Sequence, residues 1–135
     1  MTAYTNSMTE TFKKLNYTAQ NPILVYKAPD SFGPELAALK EADTHTKPKN
    51  GLSYSFVLAF AVMRADLVKA AKDLKPFMAH DAVLWFAYPK QTSKAFKSDL
   101  NRDLCWAALS PLGFQAVRQI AIDEDWSALR YKQEG

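Results

Sequence analysis

Along the chain, short continuous apolar runs alternate with stretches in which apolar residues recur every three or four positions, and polar punctuation separates the two kinds. NPILVYK (21–27), SYSFVLAFA (53–61) and AVLWFAY (82–88) are runs of the first kind, the pattern of strands buried on both faces of a sheet. Of the second kind, Met63, Leu67, Ala70, Ala71 and Leu74 share one helical face, with Asp66, Lys69, Lys72 and Asp73 elsewhere. A further stripe, Leu100, Leu104, Cys105, Ala108, Leu109 and Leu112, predicts a buried helix face beginning at Asp99. Ser7 and Glu10 have capping-box spacing, so a short helix is predicted over 8–16, with Met8, Phe12 and Leu15 facing the sheet as a lid.

The punctuation orders these pieces. Ala28, Pro29, Asp30 and Ser31 form a turn and cap into a helix carrying Phe32, Leu36 and Leu39, with Pro34 tolerated in its first turn. Residues 40–52 are polar and contain Pro48, Asn50 and Gly51, leaving room only for a short edge strand near 44–46. Pro76 and the turn-like pair His80 and Asp81 lead into the third strand. Gly113 suits the left-handed position after a helix. The runs 115–122 and 126–132, joined by Asp123, Glu124 and Asp125, predict a closing antiparallel pair. No internal repeat is found. The predicted fold is a three-layer, Rossmann-like α/β sandwich: about five or six strands, mostly parallel, with a C-terminal antiparallel strand. It fills a single domain over 1–135, with 1–20 as an N-terminal helical segment and 21–132 as sheet and helices.

Composition changes this picture little. The chain has 135 residues, 48% hydrophobic and 13% aromatic, enough for a core without staples. One cysteine excludes a disulfide framework, and MTAYTNSMTETFKK is not a basic-then-apolar leader, so a reducing cytoplasm is expected. The longest apolar run, 56–63, falls far short of the ~20 residues that span a bilayer. A net charge of +3, from 17 basic and 14 acidic residues with the signs interspersed, is a weak pull toward anionic partners.

Two motifs carry a resemblance. Trp85, Tyr88, Pro89 and Lys90 close one strand; Asp123, Trp126, Ser127, Ala128, Leu129 and Arg130 open another. Between them stand Ser98, Asp99, Asn101, Arg102 and Asp103, and the early LVYKAPDSF (24–32) supplies a first strand with an alanine-proline turn. In these the chain resembles a family of small bacterial proteins built on a domain of unknown function. The closing βαββ order resembles S-adenosylmethionine-dependent methyltransferases in architecture. That resemblance implies a fold. A cofactor loop of that kind needs closely spaced glycines and an acidic residue after the next strand, and the first loop here is Lys27-Ala28-Pro29-Asp30-Ser31. The chain's four glycines allow no Gly-x-Gly pair.

In such a sheet, ligands bind where the loops at the carboxyl ends of parallel strands converge. Asp30, Ser31, Arg64, Lys90, Thr92, Ser93, Lys94, Ser98, Asp99, Arg102, Asp123, Asp125 and Trp126 are the candidate ligand-binding residues there. Lysines beside hydroxyls at a helix start suit a small anion such as phosphate or carboxylate; equally, Ser98 or Asp99 caps the helix and the lysines are solvated. Asp123, Glu124 and Asp125 offer oxygens for a divalent cation or simply form an acidic turn paired with Arg64, Lys90 or Arg102. Trp126 either packs in the core or an interface, as Trp85 and Trp106 should, or stacks on a ligand ring. Cys105 lies on an apolar stripe and reads as packing, and His45 and His80 lack zinc spacing. No metal site and no catalytic set is assigned. Lys90, Lys94, Lys97 and Arg102 around Phe96 resemble a nucleic-acid contact, but Asp99 and Asp103 and a pI near 8.9 argue against it. The expected function is a non-catalytic binding or interaction module for a small anion or a protein partner, open to homodimerisation. The alternative is a ligand-binding protein or methyltransferase-like enzyme using the carboxyl edge.

Overall fold

The computed structural model describes residues 10–39 and 42–133. Their strands are β1 (Ile23–Tyr26), β2 (Thr44–His45), β3 (Tyr54–Phe60), β4 (Met78–Pro89), β5 (Phe114–Ala121) and β6 (Trp126–Gln133), in one 6-stranded sheet ordered β2-β1-β3-β4-β6-β5. β1 pairs in parallel with β2 and with β3, and β3 with β4. β6 inserts between β4 and β5 and is antiparallel to both. The sheet is Rossmann-like. The chain runs outward from β1 to β2 and then crosses back to β3, so the order reverses between β1 and β3. That reversal opens the crevice where ligands bind in open α/β sheets.

Helices cover both faces, because the three central parallel strands are apolar on both. Leu24, Val57, Ala59, Leu84, Phe86 and Leu129 point to one side, against Leu67, Ala70, Ala71 and Leu74 of α3 (Arg64–Leu74) and Cys105, Ala108 and Leu109 of α4 (Arg102–Leu109). Ile23, Val25, Phe56, Leu58, Trp85 and Ala128 point to the other. There they meet Phe12 and Leu15, in and just after a short helix (Glu10–Lys14), and Phe32 and Leu39, which flank another (Gly33–Ala38). Each large side chain so buried contributes about 1.5–3 kcal/mol. The N-terminal segment is fastened as well as packed: Trp85 Nε1 donates to the Leu15 carbonyl at 2.7 Å. The predicted lid is thus present over Glu10–Lys14, while Ser7 and Met8 lie outside the described residues.

Several local expectations are corrected. Met63 is 42% exposed because α3 begins one residue later and Met63 is its extended N-cap. Leu104 is 41% and Trp106 47% exposed. α4 starts at Arg102, not Asp99, and Cys105, Ala108 and Leu109 set its inward face at i, i+3, i+4 spacing, so the positions adjoining Cys105 rotate outward. Trp106, expected in the core or an interface, is therefore outside the core. His80 and Asp81 are not a turn before the strand; they lie inside β4, where pairing jumps from Tyr54 with Met78 to Phe56 with Val83. The surplus residues form a bulge that carries both side chains into solvent. Gly113 has φ 87°, the left-handed conformation expected of it. No helix among the described residues is long and apolar enough to cross a membrane.

Candidate functional site

At the carboxyl edge, the first loop is built without glycine. β1 ends at Tyr26 and Lys27 takes φ 56°, a left-handed conformation that favours glycine. Pro29 follows in an extended conformation, and its carbonyl accepts from Phe32 N at 2.9 Å, closing a tight turn over Asp30–Phe32. Asp30 lines a cavity of about 340 Å³ with Lys27 and Thr46, whereas Ser31 is exposed and lines none of the described cavities.

Aromatic rings fill the space behind this loop. The Phe32 ring centroid lies 5.1 Å from Phe60, the last residue of β3, and Phe60 lies 5.1 Å from Trp126, which lies 5.0 Å from Phe96. Phe32, Phe60 and Trp126 are each 2% exposed. The Trp126 ring is therefore a core ring, enclosed by its neighbours.

The loop before α4 turns back onto the start of α3. Asp99 Oδ1 accepts from Arg64 N at 2.7 Å, so this carboxylate caps α3 from a distant part of the chain. The Ser98 hydroxyl donates to the Val62 carbonyl and accepts from Leu100 N at 3.0 Å. Neither residue caps α4. That role belongs to Asn101, whose Oδ1 accepts from Leu104 N at 2.8 Å. Asparagine is among the strongest N-cap residues, and here it competed in the sequence with a serine and an aspartate just upstream.

The acidic turn is likewise consumed by structure. Asp123 Oδ1 accepts from Asp125 N at 2.8 Å and Trp126 N at 2.9 Å. Asp125 Oδ1 accepts from the Ser93 hydroxyl at 2.7 Å, and its carbonyl accepts from Lys90 N at 2.7 Å. These bonds clamp the loop after β4 to the turn between β5 and β6. Among the described residues, no group of three or more His, Cys, Asp or Glu could hold a metal ion. The predicted pairing of this turn with Arg64, Lys90 or Arg102 side chains is not among the described ion pairs, which are Lys13 with Glu10, Lys69 with Asp73, and Arg102 with Asp103.

Lys90, Thr92 and Arg102 do come together, at a cavity of about 530 Å³ between the end of β4, the β5–β6 pair and the first turn of α4. Tyr88, Gln119 and Ser127 also line it. Tyr88 Oη accepts from Gln119 Nε2 at 2.8 Å, and burial, then the neighbouring Cys105, pushes the phenol up to about 12. It keeps its proton at neutral pH. Burial also pushes the Cys105 thiol up to about 12, so it is a packed, protonated side chain and no nucleophile. Lys94 is exposed and outside this cavity. Tyr88, Asn101, Gln119 and Ser127 were not singled out from sequence. Tyr88 and Ser127 stood inside the two quoted motifs, and Gln119 alternates with outward-facing neighbours in an unremarkable edge strand.

The fold and its edge place the chain with the Rossmann-like methyltransferases in architecture. No family model and no curated protein sequence matches it. Among solved structures it is similar to a protein from Sulfolobus solfataricus described as a type 11 methyltransferase, with a TM-score of 0.59, 13% identity and 85% of each chain covered. It is also similar to the mitomycin 7-O-methyltransferase MmcR, with a TM-score of 0.63 and 11% identity over 94% of this chain and 54% of that one. A third similar structure is the ribosomal protein L11 methylase from Lactobacillus delbrueckii subsp. bulgaricus, with a TM-score of 0.55, 10% identity and coverage of 93% and 76%. The chain spans about half the length of MmcR. At these identities the likeness is one of fold.

The cofactor that this fold implies does not fit the residues present. A dinucleotide-like or S-adenosylmethionine site needs a glycine loop, free backbone donors and an acid after the next strand. Here the loop holds Pro29, which has no N–H, and β2 is followed by Thr46 and Lys47 instead of an acid. The first N–H of α3 is already bonded to Asp99.

Proposed function

We propose that this protein is a non-catalytic Rossmann-like binding module in which the methyltransferase architecture is kept as a scaffold without its cofactor. The observation that carries this reading is the carboxyl edge between β1 and β3, where the first loop holds Pro29, which has no N–H to offer, and the first N–H of α3 is already bonded to Asp99. The Phe32 and Phe60 rings, 5.1 Å apart, support it by filling the space behind the first loop. The chain's single cysteine, Cys105, is buried in the core and held as a thiol, consistent with a packing role. A methyltransferase-like enzyme is the second reading, favoured by the sheet order alone.

A thermal-shift comparison of the purified chain with S-adenosylmethionine, its demethylated product and NAD separates the two. A ligand at about 100 times its dissociation constant adds about 2.7 kcal/mol of stability, a readily visible rise in melting temperature. No rise with any of the three is expected. A saturable rise with S-adenosylmethionine would falsify the module reading.

A further inference from the structure

We propose that the cavity bounded by Tyr88, Lys90, Arg102, Gln119 and Ser127 binds the phosphate group of a small hydroxylated metabolite, a deepening that rests on reading the protein as a binding module. The cavity holds about 530 Å³, more than a phosphate needs, so an organic remainder fits beside it. Its floor carries the decisive observation. Ser127 is 6% exposed yet lines the cavity, and its hydroxyl has no hydrogen-bond partner among the described residues. A hydroxyl that has no protein partner and opens onto a cavity bonds to what enters it.

The other groups are arranged around that floor as donors. Tyr88 accepts from Gln119 and retains its own proton, which leaves its O–H to donate. Lys90 is held by its backbone bond to Asp125, and its ammonium has no carboxylate partner among the described residues. Arg102 stands at the first turn of α4, whose dipole favours negative charge. Its only described carboxylate neighbour is Asp103, 3.7 Å away, and both side chains are largely exposed. That pairing is weak. One hydroxyl, one phenol and two cations line the cavity together, and that many donors suits the several oxygens of a phosphate better than the two of a carboxylate. The remaining lining is Gln91, Thr92 and Asn101, whose amides and hydroxyl suit the hydroxyls of the attached molecule, and Asp103, whose carboxylate lies 3.7 Å from Arg102.

The test is a calorimetric titration of the full chain with inorganic phosphate, with glycerol 3-phosphate and with glycerol, at fixed ionic strength. Both phosphates should bind saturably, the ester more tightly, and glycerol should not bind. Loss of a charged donor costs about tenfold in affinity, so Lys90→Ala and Arg102→Ala should each weaken phosphate by about that factor. Ser127→Ala, which removes only a neutral hydroxyl, should weaken it about threefold to tenfold. Lys72→Ala, an exposed cation outside this cavity, is the control and should bind as the parent does. Circular dichroism on each variant confirms folding, and Lys90 and Arg102 lie far enough toward solvent for their variants to fold. No saturable phosphate binding, or equal affinity in Lys90→Ala, Ser127→Ala and parent, overturns the pocket. Binding of S-adenosylmethionine that Lys90→Ala leaves untouched overturns the module reading instead, so the two failures are distinguishable.

Discussion

Removing the Asp99 carboxylate tests whether this side chain closes the start of α3. Its Oδ1 lies 2.7 Å from Arg64 N, the first N–H of the helix, and the geometry is that of an N-cap supplied from another loop. Losing an N-cap acceptor costs about 0.5–2 kcal/mol, and a charged acceptor sits above a neutral one. Because Asp99 is exposed, solvent replaces part of the bond, and about 1–1.5 kcal/mol is expected for Asp99→Ala. For a chain of 135 residues that lowers the melting temperature by about 3–7 °C. Asp99→Asn keeps an acceptor and loses only the charge, so about half the loss is expected. The control is Asp66→Ala. Asp66 is exposed in the first turn of α3 with no described hydrogen bond, so it contributes the dipole interaction alone, about 0.3–1 kcal/mol. The assay is thermal unfolding followed by circular dichroism at matched salt. A variant Asp99→Ala melting within a degree of the parent, or an Asn variant as damaged as the Ala variant, refutes the capping argument.

Trp85→Phe keeps a ring in the core but removes the donor to the Leu15 carbonyl, and should cost about 1–2 kcal/mol with faster proteolytic nicking near residue 15, read by limited proteolysis. Alkaline pH should destabilise the fold. Cys105 and Tyr88 rise from ordinary values of 9.0 and 10.0 to about 12 each, and burial raises Tyr131 further. Above pH 9 the unfolded chain releases these protons while the folded one keeps them, so their stabilisation is complete below pH 9 and is lost as pH climbs toward 12. Melting temperatures across pH 7 to 11 should be level with respect to these groups below 9 and fall beyond it. Native Cys105, 0% exposed and held as a thiol, should react with iodoacetamide orders of magnitude more slowly than in the unfolded chain, measured by mass spectrometry.

Elements governed by local polarity were legible in the sequence, and elements governed by distant partners were not. Apolar runs on both faces mark central parallel strands, and β1, β3 and the inner part of β4 stand where those runs predicted. The antiparallel closing pair followed from two runs joined by an acidic turn. The extension of β4 back to Met78 was hidden because its bulge at His80 and Asp81 has the composition of a turn, and only pairing with Tyr54 and Phe56 distinguishes the two. The candidate site divides in the same way. Lys90, Thr92 and Arg102 were placed at one edge by topology and do share a cavity. Ser93, Asp123 and Asp125 sit at the same edge, but as a clamp between two loops. Asp99 resembles a cap for its own helix and instead caps another, because a side chain in a loop can reach any free N–H the fold brings near. Ser127 was marked only by its place in the second motif, since a serine within a strand is ordinary until the cavity beside it is known.

On the binding-module reading, the crevice between β1 and β3 does not take the methyltransferase cofactor. The direct test is isothermal titration of the purified chain with S-adenosylmethionine, with cooperative thermal unfolding of the same sample showing that it is folded. The account predicts no saturable heat with the cofactor up to millimolar concentration. A one-to-one isotherm in the micromolar range, abolished by a bulky substitution such as Ala28→Trp in the first loop, contradicts it.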